Sequence, residues 1–274
     1  MAIKVLISVD MEGIAGIVHP AETNPERYDY ERGRRLMTAE ANAVVAGVLD
    51  AEPAAEVLVA DSHGPYRNIL PEDLDRRARL IRGKPRELGM LAGLEAGARV
   101  VMFVGYHARA GVSGAVLAHT IGDAVLDVRI NGASHGEIGI NTLLAGSYGV
   151  PVVLAGGDAA ACEEFGTLVP RSVTVPVKQG LGQHAADTLH PQEAQDRLRQ
   201  GAAEAMRLHA DNPPVLVSSP LHVEVDLHQP RSADLAALIP GATRRGRTVV
   251  FDAETMTAAY SMLQLIVLLT QIGP

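Results

Sequence analysis

Cysteine is nearly absent from the chain. Cys162 is the single one, so no intramolecular disulfide can form. The N-terminal segment runs almost at once into a strand-like stretch, without a basic lead or a small-residue cleavage site, and a cytoplasmic protein is expected. Positive charge is also in deficit. With 24 Lys and Arg against 32 Asp and Glu, a net charge of -8 and a pI near 5.7, there is no broad basic field to neutralise phosphates, which argues against nucleic acid as a partner. Small-molecule or peptide ligands fit better. Long apolar runs are missing too. The most apolar stretch, 262–272, is interrupted by Gln264 and Gln271 and falls short of the about 20 apolar residues that span a bilayer. It reads as a buried C-terminal helix, with no membrane partner. Absent as well are a Gly-x-x-x-x-Gly-Lys phosphate loop, a Gly-x-Ser-x-Gly nucleophile elbow, a His-Glu-x-x-His helix, internal repeats and low-complexity tracts.

What remains is ordinary globular material: 274 residues, 47% hydrophobic and 20% charged, enough for a large core in one or two domains. Short β-branched apolar runs alternate with longer helical patterns, the signature of strands joined by crossover helices. Strands are expected at 3–9, 56–60, 78–81 and 99–104, with a helix over 30–50 whose Leu36, Ala39, Ala43, Ala46 and Leu49 recur at helical spacing. Further strands are expected at 115–119 and 124–130, then a turn at Asn131-Gly132 and a helix over 135–148. A strand at 152–155 runs into Gly156-Gly157-Asp158, which opens another helix. A strand at 173–177 is assigned to an edge because it contains Pro176. A helix over 192–209, strands at 221–225 and 248–251 and a closing helix from 253 complete the pattern. The expected fold is three-layer α/β/α with a largely parallel central sheet and a smaller C-terminal α+β portion. Asn212-Pro213-Pro214 is the best candidate boundary, dividing a catalytic core of 1–212 from a subdomain of 213–274, unless the chain is one continuous domain.

Three of the apolar runs end alike. The first leads into Asp10-Met11-Glu12-Gly13, the second into Asp61-Ser62-His63-Gly64 and the third into Gly105-Tyr106-His107. In open parallel sheets the ligand crevice lies outside the carboxyl ends of the strands, so these tips should converge in space. Asp10 and Glu12, two apart in extended backbone, place both carboxylates on one side, and Gly13 lets the chain turn sharply beyond them. Two carboxylates held that close repel unless a cation sits between them. His63 and His107 add imidazole nitrogens, completing a donor set suited to zinc in a catalytic site. Glu137, at the start of the helix after the Asn131-Gly132 turn, is a fifth candidate ligand.

Taken singly, these residues have bland explanations: a turn or cap for Asp10, a satisfied polar side chain for His63 or His107, first-turn charge for Glu137. Their joint placement points to a metal. Asp61 stays open between ligand, partner of a histidine and turn former. His119, ending the run 115–118, is either a histidine bonded to backbone or a general acid or base beside the metal. His19, His135, His184, His190, His209, His222 and His228 are assigned to structure or surface, His135 less firmly because it lies close to Glu137. Gly156-Gly157-Asp158 is a weak anion-site signal and reads as a strand-to-helix turn. Two rivals to a hydrolase of peptides remain: a metal-dependent phosphoesterase, for which Arg109 could contact phosphate, and a non-catalytic metal-binding module that assembles as an oligomer.

Ser8-Val9-Asp10-Met11-Glu12-Gly13, Asp61-Ser62-His63, Gly105-Tyr106-His107-Ala108-Arg109, His119 and Gly136-Glu137-Ile138-Gly139-Ile140-Asn141 resemble, in this order, the motifs of the dinuclear zinc D-aminopeptidases of the DppA type. Tyr30-Glu31-Arg32-Gly33-Arg34, Met37-Thr38 and Val177-Lys178-Gln179 extend the resemblance over nearly the whole chain. It implies that Asp10, Glu12, His63, His107 and Glu137 ligate two zinc ions, with Asp10 bridging, and that His119 is the catalytic residue. It further implies release of N-terminal D-residues from short peptides and a homodecamer with active sites facing an internal channel. Segments 14–28 and 111–120 depart from the family in composition, which bears on side-chain specificity rather than on the chemistry.

Overall fold

The computed structural model of the chain describes residues 2–271. A seven-stranded sheet forms its centre. The strands are β1 (Lys4–Val9), β2 (Glu56–Asp61), β3 (Ala78–Ile81), β4 (Val100–Tyr106), β7 (Val152–Asp158), β8 (Val173–Gly182) and β9 (Ala185–Thr188). Their order is β3-β2-β1-β4-β7-β8-β9, parallel except for the final β8–β9 hairpin. β1 reads as a nearly unbroken apolar run because both its faces are covered: Val5, Leu6, Ile7 and Val9 are fully buried.

Helices α2 (Tyr30–Ala51) and α5 (Pro191–Leu208) pack against each other, and with Val5, Ile7, Val9, Val44, Val48, Leu198 and Ala202 they build the core on one face of the sheet. The other face carries α3 (Glu137–Ser147), α4 (Ala159–Leu168) and a second sheet. That sheet is antiparallel, in the order β11-β12-β10-β5-β6, and comprises β5 (Val125–Ile130), β6 (Ala133–Ser134), β10 (Leu221–Leu227), β11 (Thr243–Arg245) and β12 (Thr248–Ala253). The short helices α1 (Pro20–Thr23) and α6 (Pro230–Ala236) and the closing α7 (Met256–Thr270) complete the fold. This is the expected three-layer α/β/α arrangement with a smaller mixed portion. The second sheet takes β5 and β6 from before residue 212 and its other strands from after it, so the two portions share one ladder. Among the described residues no helix is long and apolar enough to cross a membrane; Ile272, the end of the apolar stretch, lies outside them.

Two local expectations need correction. Residues 115–119 form a loop, not a strand. Leu117 and Ile121 have φ of 52° and 61°, and Gly111 and Gly114 also lie in the left-handed region, which a strand excludes. The loop is pinned instead by Val116 N donating to Asp158 Oδ2 at 3.1 Å and Leu117 N to the Gln183 carbonyl at 2.9 Å. The strand through Pro176 is longer than expected and carries β9 on its far side. β9 pairs only with residues 178–182, so Pro176, which has no N–H to give, sits where that side is uncovered.

Candidate metal centre

The strand order reverses between β1 and β4, which lead to β2 on one side and β7 on the other. A crevice outside the strand ends is the geometric consequence of such a reversal. Register aligns the tips: Val9 lies opposite Asp61 on one side and Val104 on the other. Asp10 and Glu12 therefore stand beside His63, two residues past β2, and His107, the residue after β4. Glu137 enters from the first turn of α3.

Two glycines make this approach possible. Gly13 donates its N–H to the Gly105 carbonyl at 2.8 Å, and a Cβ on it would fall 2.0 Å from the Tyr106 carbonyl oxygen. Gly13 thus serves close backbone approach as well as the expected turn, which Ile14 N closes on the Met11 carbonyl at 3.2 Å. Gly105, with φ +68°, coincides with a register shift between β4 and β7, a bulge that re-aims the chain toward His107.

Asp10, Glu12, His107 and Glu137 are buried. His63 Nδ1 lies 3.3 Å from Asp10 Oδ1 and 2.9 Å from Glu12 Oε2. His107 Nε2 lies 3.4 Å from Asp10 Oδ2 and 3.5 Å from Glu137 Oε1, and His119 Nε2 lies 3.7 Å from the same Glu137 oxygen. Each imidazole spends its other nitrogen on a backbone carbonyl: His63 Nε2 on Thr23 at 2.9 Å, His107 Nδ1 on Ala108 at 3.0 Å and His119 Nδ1 on Leu117 at 2.8 Å. A neutral ring that donates there has its remaining nitrogen as a lone pair, and all three lone pairs face the carboxylates.

The electrostatics carry the same signature. Burial pushes the Asp10 carboxyl up, and the neighbouring Glu12 charge adds to it. Burial also pushes up Glu12 and Glu137, but His63 beside the first and His107 beside the second outweigh it and hold both below the usual range. Burial lowers His63 and His107, yet the carboxylates facing them, Glu12 first for His63 and Glu137 first for His107, hold both well above the usual histidine range. Such a cluster is stable as written only if protons or a cation neutralise it.

A cation fits the side chains present. His107 Nε2 is buried with no hydrogen-bond partner, an expensive state for a polar atom unless something else occupies that direction. His107 forms one group of potential ligand atoms with Asp10 and Glu12 and another with His119 and Glu137, the atoms of each lying within 4.8 Å of one another. All five sequence-assigned ligands and His119 thus come together. Asp61 does not: its oxygens accept from Asn68 N, Asn68 Nδ2 and Ile69 N at 2.5 to 2.7 Å, so it is the turn former. Arg109 lines a separate cavity of about 490 Å³ with His135 and Glu164. His19 and His190 cap helices, and His222 pairs with Asp252 at the surface.

The metal-site residues open on a cavity of about 400 Å³ whose wall includes Tyr66, Lys84, Arg86, Ile121 and, from α7, Gln264, Val267 and Leu268. Sequence reading missed these wall residues because nothing local marks α7 as reaching the centre. It also missed the role of Lys178, buried on β8, whose ammonium donates to the carbonyls of Glu12, Ile14 and Ile17. A lone lysine in a strand ordinarily reads as solvent-facing.

Fold and site together define an α/β protein with a carboxylate–histidine cluster, a candidate metal centre, at a topological switch point. The chain belongs to the D-aminopeptidase family, peptidase family M55, which it matches over residues 3–265. It is similar to a D-aminopeptidase from Bacillus subtilis (strain 168), 35% identical over 262 residues and 95% of each chain. It is also similar to the solved structure of the Zn-dependent D-aminopeptidase DppA from Bacillus subtilis, described as a self-compartmentalizing protease. The TM-score is 0.95 at 33% identity, covering 99% of this chain and 100% of that one.

Proposed function

We propose that the protein is a zinc-dependent aminopeptidase that releases N-terminal D-residues from short peptides, using two zinc ions per subunit. The observation that carries the reading is the placement of Asp10, whose two carboxylate oxygens face His63 on one side and His107 on the other. One carboxylate between two imidazoles, with Glu12 beside the first and Glu137 beside the second, suits a bridging ligand between two cations. Asp10, Glu12 and His63 would hold one ion, and Asp10, His107 and Glu137 the other. Bound zinc supplies Lewis acidity, polarising the scissile carbonyl and making water a competent nucleophile near neutral pH.

The chain's own residues do the rest. Thr23, Ala108 and Leu117 carbonyls fix the three imidazole tautomers, so no ring must reorient during turnover. Lys178 anchors the backbone that carries Glu12. His119, the more exposed of the stacked pair it forms with His107 and a residue of the cavity wall, with its Nε2 3.7 Å from Glu137 Oε1, receives a proton from the attacking water and delivers it to the leaving amine. The phosphoesterase and binding-module alternatives are disfavoured by the match to peptidases along the chain. The likeness to a structure described as a self-compartmentalizing protease supports an oligomer enclosing its active sites; a cytoplasmic homodecamer is part of the same proposal. Purified enzyme should contain two zinc ions per subunit and lose hydrolysis of D-alanyl peptides on chelation, regaining it with zinc. Turnover that persists after complete metal removal would overturn the reading.

A further inference from the structure

The wall of the metal-site cavity carries two cationic side chains that no carboxylate pairs directly among the described residues. Arg86 and Lys84 line it together with Asp10, Glu12 and Glu137, and neither forms an ion pair among the described residues. The Arg86 guanidinium carbon lies over the Tyr66 ring at 4.1 Å from its centroid, with the Lys84 ammonium 5.5 Å from the same centroid. Two guanidinium donors are used, toward the Ile81 and Asp61 carbonyls at 3.2 and 2.7 Å, while Nε is buried without a partner. The Tyr66 phenol is pushed up to about 12, chiefly by burial, with Glu137 and Asp10 adding to the effect; the Arg86–Tyr66 stack therefore lies within electrostatic reach of the metal ligands. A partly buried guanidinium with spare donors and no carboxylate is a receptor for one.

We infer that Arg86, with Lys84 and the Tyr66 ring, binds the free C-terminal carboxylate of the peptide substrate. The inference rests on the peptidase reading and narrows it to di- and tripeptides with an unblocked C-terminus. In a dipeptide the carboxylate lies one residue, about 3.8 Å between Cα atoms, beyond the scissile bond. A group that reads it must share the cavity of the metal ligands, as Arg86 does. The amine end is then held among the carboxylates and the acid end by the cations, so the charges of a zwitterionic peptide fix its direction in the cavity. Ile121, Val267 and Leu268 leave the side-chain wall apolar.

The test compares hydrolysis of D-alanyl-D-alanine with that of its C-terminal amide by the zinc-loaded enzyme, as wild type, R86Q and K84Q. The wild type should prefer the free acid by at least about tenfold in kcat/KM, the size of one charge-assisted contact. In R86Q that preference should collapse toward unity, mainly through KM on the acid, and in K84Q it should narrow. Equal use of acid and amide by the wild type, or a preference unchanged in R86Q, overturns the inference while leaving the peptidase reading intact. A purely structural Arg86 would depress both substrates alike and keep their ratio. Should R86Q not fold, K84Q decides, because Lys84 is exposed and donates no side-chain hydrogen bond among the described residues; an unaltered ratio there counts against the inference. No turnover on either substrate by the wild type contradicts the peptidase reading and this inference with it.

Discussion

The imidazoles of His107 and His119 stack face to face, 4.1 Å between centroids and 13° from parallel. Both direct Nε2 at the same oxygen of Glu137, at 3.5 and 3.7 Å. The stack joins a buried histidine, fixed at the end of β4, to a partly exposed one on an irregular loop. In the proposed mechanism the first ring holds a cation and the second exchanges protons with whatever enters the cavity.

Removing the outer ring should separate these roles. H119A is expected to lower kcat by about two to four orders of magnitude while zinc content stays at the wild-type value. Metal analysis and steady-state kinetics on the same sample check this; loss of zinc in proportion to activity would make His119 a ligand instead.

D10N should lose both ions, because its two oxygens serve both halves of the cluster, whereas E137Q should lose one. Zinc quantification after dialysis distinguishes the two patterns. Equal losses in the two variants would argue against a bridging Asp10.

Lys178→Met removes a donor shared by three carbonyls and takes it from those of Glu12 and Ile17, while the Ile14 carbonyl keeps Ile17 N at 3.2 Å. A loss of roughly 3 kcal/mol of stability is expected, together with weaker zinc retention, since one of those carbonyls belongs to Glu12. Denaturant unfolding and competition with a chelator measure the two effects.

Glu40 is buried, with one oxygen accepting from Ala15 N at 2.8 Å and the other unpartnered. Burial raises its carboxyl from 4.5 to about 7. Through that window the folded protein keeps a proton that the unfolded chain has released, so stability falls as pH rises. E40Q abolishes this dependence and should stabilise the protein at pH 8 by roughly 2 to 3 kcal/mol, with little effect near pH 4. Urea midpoints at the two pH values test it, and an equal shift at both would remove titration as the cause.

The proposed metal ligands were legible as a cluster because their signal is local and repeated: apolar β-branched runs ending in Asp, Glu or His, in a chain whose alternation implies a parallel sheet. Topology then does the converging. His119 was legible as a residue but not in its setting, since 115–118 has strand composition while Leu117 and Ile121 adopt left-handed φ imposed by tertiary hydrogen bonds. The second sheet was legible in its strands near 124–130, 221–225 and 248–251, but not in their pairing, for a related reason. Val223 of β10 pairs with Ile130 of β5, and no short-range pattern records a partner so distant in sequence. Lys178 and Arg86 were missed because their roles depend on what surrounds them: carbonyls from one loop, a tyrosine ring from another.

The most direct test of the account is hydrolysis of D-alanyl-D-alanine and L-alanyl-L-alanine, each with a free C-terminus, by the purified protein, before chelation, after it and after zinc is restored. Selective cleavage of the D-substrate that disappears with the metal and returns with zinc is the predicted result. Metal-independent cleavage, or no cleavage of either substrate by the zinc-loaded protein, would contradict it.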